Sequence, residues 1–361
     1  MPQWTVICPT YNRGPAIERT IRSVIGQDLR DWELIVASDG SVDDTDEVVR
    51  ALADEDARVR LIRTQHFGFP SGPCNAAIAE AGSELIAYVG HDDELHPQHL
   101  SVLTDAMTGD VDVVYTRADT IDASGRRIGR TDPLQQYWHP ELQLMSALFE
   151  PARAGYRRRA IEEAGGWRET PGGLEDWDLW LRFSDDGRRF QPVEDVSVAL
   201  LRDDTTRQHT LRGDHHVELA RFPTPSAARG AYRALTDRRR LGDILDGYRR
   251  DAVAWYRSLW TSGELVCPPG WAGDEDRMLA ALHDALQAEA DPWQTTQPAS
   301  YGDRHVIENV IATQTPEQAT RVGACFARTM PGFMTLFTAA IERFDGELTV
   351  LDDTPVAGGL G

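Results

Sequence analysis

The chain has 361 residues and a net charge of −21, with 58 acidic residues against 37 basic ones. All 37 basic residues are arginine, since the sequence contains no lysine. Binding to nucleic acid or to an anionic membrane surface needs clustered cations, so this charge argues against both partners. The length exceeds one domain of about 150 residues, and we expect two units or one large unit with an appendage.

The cysteines and the apolar segments bear on the compartment. The four cysteines are widely scattered, with no CxxC pair and no metal-ligand spacing. No stretch approaches the roughly 18 uncharged apolar residues of a membrane-spanning helix. The first residues also do not have the charged and apolar regions of a secretory signal. We therefore expect a cytoplasmic protein with reduced cysteines and no integral membrane segment.

The first 110 residues alternate between strand-like and helix-like patterns. Short apolar runs predict strands over residues 4–8, 32–37, 58–62 and 84–89. The segments between them predict helices over residues 15–27, 46–53 and 72–81. Strands and helices that alternate at this spacing form right-handed crossovers around a mainly parallel sheet.

Polar loop tips follow three strands of this predicted sheet, at residues 9–12, 38–40 and 91–93. Ligands of such sheets bind beyond the carboxyl ends of the strands. We therefore expect the three tips to share the edge of the sheet at which a ligand binds.

Beyond residue 110 the pattern becomes less regular and then helical. A strand over 111–115, a helix over 174–183 and a strand over 196–201 are predicted. Apolar residues three and four apart then predict a long amphipathic helix over 241–260. Further helices are predicted over 278–288 and 322–344, the second interrupted at Pro331, and no internal repeat is evident. We predict an α/β domain over residues 1–215 and a mainly helical domain over residues 216–361.

Asp92 and Asp93 end a predicted strand at the ligand edge. Neighbouring carboxylates repel each other unless a cation or hydrogen bonds satisfy them. Carboxylate oxygens suit Mg²⁺ or Mn²⁺, which commonly bridge a protein carboxylate to a substrate diphosphate. A solvated turn before a helix is the alternative, and the two other polar loop tips favour the metal site.

Two further acidic positions each allow two interpretations. Asp39 stands in an Asp-Gly-Ser turn, yet an aspartate at a strand end can also accept hydrogen bonds from a base or ribose. Glu175 and Asp176 begin a predicted helix, where negative charge is favoured by the helix dipole. The same pair can supply a general base beside an aromatic platform, with Trp177 as the residue that stacks on a sugar.

His209 follows the last predicted strand of the first domain. A lone histidine in a loop is usually a surface residue. At this place the chain returns to the sheet edge, where an imidazole can complete the coordination of a metal ion. His215 and His216 are an alternative source of the same ligand.

A set of short motifs stands in a fixed order along the first part of the chain. Their residues are Val-Ile-Cys-Pro-Thr-Tyr-Asn at 6–12, Ser-Val-Ile-Gly-Gln at 23–27, Trp-Glu-Leu-Ile-Val-Ala-Ser-Asp-Gly-Ser at 32–41, Asp-Asp-Thr at 43–45, Asn-Ala-Ala-Ile at 75–78, His-Asp-Asp at 91–93, Gly-Gly-Trp at 165–167 and Glu-Asp-Trp at 175–177. With these motifs, residues 4 to about 210 resemble the inverting family 2 glycosyltransferases of the GT-A fold. The helical C-terminal part lies outside the resemblance.

The resemblance implies a GT-A fold, a Rossmann-like α/β sheet flanked by helices, and a role for each matching residue. The nucleotide would be bound by Pro9, Thr10, Tyr11, Asn12, Asp39 and Asp92. A divalent cation, Mn²⁺ or Mg²⁺, would be held by Asp93 and His209. Asp176 would be the general base, with Glu175 and Trp177 at the acceptor or sugar.

The implied function is metal-dependent, inverting transfer of a sugar from a nucleoside diphosphate-sugar to the hydroxyl of a carbohydrate or small-molecule acceptor. A UDP-sugar is the expected donor. The sequence departs from the family at Ser38, where an acidic residue is usual, and at Cys74, where an arginine is usual. These departures concern the identity of the donor.

Two other functions are open to a sheet of this kind. A sugar nucleotidylyltransferase normally needs a glycine-rich loop with basic residues after the first strand, and the residues at 9–14 do not provide it. A non-catalytic scaffold with a GT-A-like domain would bind no nucleotide. For the helical domain we expect a role in homo-oligomer formation or in shaping the acceptor site, because of the aromatic stripe over 241–260.

Overall fold

The computed structural model describes residues 2–131, 133–170, 173–202, 214–288, 296–301, 304–312 and 315–349. The chain divides into two compact units. The first comprises Met1–Thr210 and Val266–Ala272, and the second comprises Leu211–Leu265 and Gly273–Gly361.

The first unit is built on a mixed sheet with nine strands among its described residues. The strands are β1 (Trp4–Thr10), β2 (Trp32–Ser38), β3 (Val59–Arg63), β4 (Leu85–Tyr88), β5 (Glu94–Leu95), β6 (Val113–Ile121), β7 (Arg127–Arg130), β8 (Ala154–Arg157) and β9 (Phe190–Leu201). Their order in the sheet is β3-β2-β1-β4-β8-β6-β9-β5, and β7 pairs with β6 outside this order. Strands β1 to β4 are parallel to one another, whereas β8, β5 and β7 are antiparallel to their neighbours.

Helices flank this sheet and bury the apolar residues that the sequence spaces three and four apart. In the first helix the residues Ile17, Ile21 and Val24 are fully buried against the sheet. The helices are α1 (Ile17–Ile25), α2 (Thr45–Glu55), α3 (Ser71–Ala79), α4 (His99–Ala106), α5 (Pro140–Met145), α6 (Arg158–Glu163) and α7 (Glu175–Asp185). The predicted α/β fold class is confirmed, with antiparallel pairing in the second half of the sheet as the difference.

The register of the parallel strands brings the ends of three strands together. Thr10 at the end of β1 is paired with Ser38 at the end of β2. Val89, directly after β4, donates its backbone N–H to the carbonyl of Ile7 in β1 at 2.9 Å. The loops that follow β1, β2 and β4 therefore begin at one edge of the sheet, as the alternation of strands and helices predicts.

Within its described residues, the second unit combines helices with a four-stranded antiparallel sheet. Its helices are α8 (Pro225–Thr236), α9 (Arg238–Ser262), α10 (Glu275–Ala288), α11 (Pro316–Thr329) and α12 (Pro331–Glu342). Its strands are β10 (Asp214–Phe222), β11 (Thr296–Tyr301), β12 (Arg304–Ala312) and β13 (Glu347–Leu348), in the order β11-β12-β10-β13. The helical character and the break at Pro331 are confirmed, whereas the sheet is an addition that the sequence patterns did not predict.

The aromatic stripe of α9 packs inside this unit. Trp255, Tyr256 and Leu259 are all buried. Tyr248 stacks on Phe326 of α11 with ring centroids 6.4 Å apart. The stripe that suggested an oligomer interface is therefore covered by the unit's own helices, and oligomer formation stays a prediction.

The second unit contains an internal repeat that the sequence analysis did not detect. Strand β10 leads through Thr224-Pro225 into α8, and β12 leads through Thr315-Pro316 into α11. In both copies the threonine hydroxyl accepts a hydrogen bond from the backbone N–H three residues later, at 3.2 and 3.1 Å. A second helix follows after one residue in both copies. The next strand follows α12 directly, whereas the short helix Pro269–Trp271 and α10 stand between α9 and β11. Strand β11 pairs with β12 and β13 pairs with β10, so each copy completes the sheet of the other.

Among the described residues no single helix is both long and apolar enough to cross a membrane. Helices α11 and α12 meet the criteria of length and composition only when taken together, and they are bent by 102° at their junction.

Candidate active site

Asp39 at the end of β2 is buried, with its carboxylate held from several sides. Its Oδ1 accepts the backbone N–H of Phe67 at 2.8 Å, and its Oδ2 accepts that of Gly68 at 2.9 Å. His66 lies 3.0 Å from Oδ2 through its Nδ1. The segment between β3 and α3 therefore wraps around the carboxylate and satisfies it.

The loop after β1 is fixed to the loop after β2. Asn12 has φ of 49°, a left-handed conformation that asparagine tolerates better than most residues. Its amide oxygen accepts the backbone N–H of Val42 at 2.9 Å, and its own N–H donates to the Ser41 hydroxyl at 3.1 Å. The hydroxyl of Thr45 accepts the backbone N–H groups of Arg13 and Gly14 at 2.7 and 2.8 Å. Asn12 thus shapes the loop through its own hydrogen bonds.

The other candidate residues of this loop lie at the end of β1 and directly after it. Pro9 and Thr10 are buried at the end of β1, and the Thr10 hydroxyl has no hydrogen-bond partner among the described residues. Tyr11 stacks on the imidazole of His66 with ring centroids 4.3 Å apart. Flat aromatic rings next to a buried carboxylate form a surface suited to a nucleobase.

In the turn after β4 the carboxylates of Asp92 and Asp93 lie next to the backbone of Gly90. A Cβ placed on Gly90 would lie 2.5 Å from Oδ2 of Asp93 and 3.3 Å from Oδ1 of Asp92. The two carboxylates therefore occupy the space that a side chain at position 90 would fill. Thr20 of α1 and the carbonyl of Gly90 hold the turn through the backbone of Asp93, at 2.8 and 3.0 Å.

Asp93 is a half-buried carboxylate whose charge is poorly compensated. Its Oδ1 accepts the backbone N–H of Leu201 in β9 at 3.2 Å. Burial and the charge of Asp92 raise the pKa of Asp93 to about 8, and the charge of Glu150 adds to this effect. A cation bound at these oxygens would relieve the repulsion, and carboxylate oxygens are the ligands that Mg²⁺ and Mn²⁺ prefer.

Glu175 and Asp176 begin α7. Glu175 is buried, and its Oε1 has no hydrogen-bond partner within the described part of the chain. Asp176 accepts the N–H of Trp177 at 2.8 Å. Burial raises the pKa of Glu175 to about 7 and that of Asp176 to about 6, so both carboxyl groups hold protons more strongly than in water.

Asp93 and Asp176 share neighbours although 83 positions of sequence separate them. The hydroxyl of Tyr88, at the end of β4, has a pKa raised by burial and then by nearby charges that include both aspartates. After burial, the charge of Glu150 raises the pKa of Asp93 and of Asp176. The turn after β4 and the start of α7 therefore face the same region of the first unit.

Glu150 is a member of this region that the sequence analysis missed. It precedes the short helix Pro151–Arg153 and follows no predicted strand, so neither spacing nor a motif marked it. Arg13 was missed as a side chain too, and its Nε donates to Nε2 of His91 at 2.7 Å. The position of Arg13 directly after the motif at 6–12 was the available signal.

Four of the expected residues are either buried in the core or outside the described part of the structure. Trp177 is 4% exposed, and its indole N–H donates to the carbonyl of Gln143 at 2.8 Å. A ring so covered packs as part of the core, and stacking of Trp177 on a sugar stays a prediction. His209 lies outside the described residues, as do the side chains of His215 and His216. Among the residues that are described, no group of three or more His, Cys, Asp or Glu forms a ready metal site.

Comparison with known proteins identifies the first unit. Residues 5–165 match the model described as "Glycosyl transferase family 2". This segment contains β1 to β8 and the turn with Asp92 and Asp93. Residues 5–165 of the first unit form a family 2 glycosyltransferase domain.

The family 2 domain has similar segments in several curated proteins. One is the GalNAc(5)-diNAcBac-PP-undecaprenol beta-1,3-glucosyltransferase of Campylobacter jejuni, 38% identical over 104 residues, which cover 28% of this chain and 34% of that protein. Another is the chondroitin synthase of Escherichia coli, 27% identical over 191 residues, which cover 52% of this chain and 27% of the synthase. The chain thus spans about a third or less of the length of these relatives.

One solved structure is similar in fold to this chain over more than the family 2 domain. Staphylococcus aureus TarS, residues 1–349 in complex with UDP-GlcNAc, matches with a TM-score of 0.50 over 99% of this chain and 100% of that chain. The sequence identity is 15%, so the likeness is one of fold.

Proposed function

We propose that the chain transfers a sugar from a nucleoside diphosphate-sugar, a UDP-sugar in the first place, to an acceptor hydroxyl with inversion at the anomeric carbon. The observation that carries the proposal is the common neighbourhood of Asp93 and Asp176, two half-buried carboxyl groups with raised pKa values within and beside a family 2 domain. Such a reaction needs charge compensation at the departing diphosphate and a base on the opposite side of the sugar.

In this proposal each part of the site has one task. Tyr11, Asp39 and Asp92 bind the base and ribose, next to Pro9, Thr10 and Asn12, which form the end of β1 and its loop. Asp176 takes the proton of the acceptor hydroxyl as the new bond to the sugar forms. Glu175, buried beside it, lies toward the acceptor.

The donor set around Gly90 fits a divalent cation. Asp93 would hold Mn²⁺ or Mg²⁺, with Asp92 adjacent and His209 as a further expected ligand. When bound, such an ion stabilises negative charge on a diphosphate leaving group as a Lewis acid. The excess of acidic residues in the chain is compatible with an anionic donor for this reason.

Nucleotide release from a panel of donors tests the proposal. The full chain is incubated with UDP-glucose, UDP-GlcNAc, GDP-mannose and dTDP-glucose, with and without Mn²⁺, and the free nucleoside diphosphate is measured. We expect release that depends on Mn²⁺ or Mg²⁺ from at least one donor. No release, together with no binding of UDP or GDP by calorimetry, would contradict the proposal and favour a scaffold.

A second assay separates transfer from nucleotidyl transfer. The chain is incubated with a nucleoside triphosphate and a sugar 1-phosphate, and pyrophosphate is measured. Pyrophosphate release in the absence of sugar transfer would replace our proposal by a sugar nucleotidylyltransferase.

For the second unit we propose a supporting role, in the assembly of copies of the chain or in shaping the acceptor site. Its own sheet and buried helical core support a separately packed module of this kind. The mass of the full chain in solution, measured by light scattering, tests assembly. A monomer at all concentrations would leave the acceptor role as the proposal.

A further inference from the structure

Glu150 is a carboxylate at the candidate site to which the functional assignments above give no task. It stands at the entrance of the short helix Pro151–Arg153, which leads into β8. Its side chain is 36% exposed, so it is open to a ligand on one side.

Two arginines fix the orientation of this carboxylate. Arg153 donates to Oε2 of Glu150 at 3.1 Å, and Arg202 donates to Oε1 at 3.4 Å. Arg153 is fully buried and also donates to the carbonyl of Thr116 at 2.8 Å and to the amide oxygen of Gln135 at 2.6 Å. The carboxylate is therefore held against a rigid cation, whereas Arg202 is 34% exposed and lies on its open side.

The pair Glu150–Arg202 lies close to both functional carboxyl groups. Arg202 directly follows Leu201, whose backbone N–H donates to Oδ1 of Asp93. The charge of Glu150 acts on Asp93 and on Asp176. In the proposed function Asp93 lies at the diphosphate and Asp176 at the acceptor, and the transferred sugar is the group between the two.

The chemistry of this pair suits the hydroxyls of a sugar. A hydroxyl both donates and accepts, a carboxylate only accepts, and a guanidinium only donates. Placed side by side, the two can bind adjacent hydroxyls in one relative configuration, while an epimer with one hydroxyl reversed leaves a charged group without its partner.

We propose that Glu150 and Arg202 bind adjacent hydroxyls of the transferred sugar and thereby select the donor sugar. The proposal rests on the proposed function of the chain. In this assignment the pair selects the sugar, whereas the loops after β1 and β2 bind the nucleoside.

Substitution Glu150→Gln tests it, because glutamine retains an oxygen for Arg153 but loses the charge. We measure kcat/KM for UDP-glucose, UDP-galactose, UDP-GlcNAc and GDP-mannose, and the affinity for UDP and GDP by calorimetry. For the preferred donor we expect kcat/KM to fall about ten- to hundredfold, with the preference over an epimer reduced about tenfold and the nucleoside diphosphate affinity changed less than about twofold.

Two further variants make the test decisive. Arg202→Gln removes the other half of the pair without touching the buried Arg153, and we expect it to lower the preference between epimers in the same way. Glu84→Gln is the matched control, since Glu84 is a 75% exposed carboxylate paired with Arg158 at 2.9 Å. We expect no change in donor preference for this control.

Different results would overturn different statements. If Glu150→Gln and Arg202→Gln slow every donor by the same factor, or leave every donor unaffected, the pair does not select the sugar. If Glu150→Gln does not fold, the result with Arg202→Gln decides. If the unaltered chain neither binds UDP or GDP nor releases nucleotide from any donor, the proposed function itself fails, and the assignment of this pair fails with it.

Discussion

Two groups of carboxylates in the first unit differ in how well the surrounding groups compensate their charge. Asp39 is surrounded by donors, with two backbone N–H groups and an imidazole on its oxygens. Asp93 and Asp176 are half-buried, and each accepts the backbone N–H of another residue, while the charge of Glu150 raises the pKa of both. At Asp93 the charge of Asp92 raises the pKa further, and the charge of Arg202 offsets part of this effect. A buried charge is costly unless it is paired, and proteins tolerate the cost mainly where function requires it.

The difference separates recognition from chemistry. A carboxylate that is already satisfied has a fixed direction and suits the reading of a ligand's hydrogen-bond pattern. One that is not satisfied binds a proton or a cation strongly, and these are the species that sugar transfer needs at the acceptor and at the diphosphate. On this basis substitutions in the two groups should differ in kind.

The largest effect is expected for Asp176→Asn. The amide cannot accept the acceptor proton, so kcat should fall by about 10²- to 10⁴-fold with the affinity for UDP nearly unchanged. Steady-state kinetics and calorimetry measure the two quantities. Asp178→Asn is the control, since Asp178 stands on the same helix and is paired with Arg182 at 2.6 Å. Equal losses of affinity and turnover in Asp176→Asn would remove Asp176 from its role as base.

The pH should act on activity and on stability in opposite directions. Asp176 must lose its proton to serve as base, so activity should rise as the pH passes through about 6. The pKa values of Asp176 and Glu175 are raised in the folded state, which therefore binds protons more strongly than the unfolded state. Their contribution to stability is present below pH of about 4 and is lost as the pH rises through about 6 and about 7.

Melting temperatures of the ligand-free chain between pH 5 and pH 8, compared with those of Glu175→Gln, measure this contribution. The variant should lose less stability over the range, because glutamine does not titrate. An identical pH dependence in the variant would mean that Glu175 has an ordinary pKa.

For Asp39, the well-compensated carboxylate, we expect the substitution Asp39→Ala to have a smaller effect, and to act on stability. Removing a satisfied carboxylate leaves the N–H groups of Phe67 and Gly68 without their acceptor, and the free energy of unfolding should fall by about 2 kcal/mol. Urea denaturation measures it. Asp93→Ala removes a carboxylate that the charges of neighbouring carboxylates repel. It should therefore lower the free energy of unfolding by less than Asp39→Ala does. The reverse order would contradict the contrast between the two groups.

The smallest effects are expected at two exposed caps of the second unit, which calibrate what one satisfied hydrogen bond contributes. Thr224→Ala and Thr315→Ala should each lower the free energy of unfolding by about 1 kcal/mol, since each removes an N-cap. Equal losses in the free energy of unfolding for the two variants would support the internal repeat. A large difference in the same urea experiment would mean that the two copies are not equivalent in their surroundings.

The sequence alone predicts the part of the site that stands at strand ends. Asp39, Asp92 and Asp93 follow apolar runs closely, and the end of a parallel strand specifies which edge its loop begins from. The sequence could not predict the burial of Trp177, because a tryptophan beside acidic residues has the same local pattern whether its ring faces the core or a ligand. Glu150 was missed because its place depends on β8 and β9, which both pair with β6 and so join distant parts of the chain.

The sheet of the second unit was missed for a related reason. Glu218 and Glu308 face each other across β10 and β12 and are both buried, which interrupts the apolar alternation of a strand. The repeat escaped detection because its copies agree in the Thr-Pro cap and the order of elements more than in side chains. Patterns within a window of residues do not report such agreement.

The exchange of strands between the two copies has a consequence for the order of folding during synthesis. Strand β10 lies near residue 218, yet its outer neighbour β13 is made some 130 residues later, at 347–348. The parallel strands β1 to β4 have all of their partners within the first 90 residues except β8. On the ribosome the parallel part of the first unit's sheet can therefore assemble early, while the second unit waits for nearly its whole length to emerge.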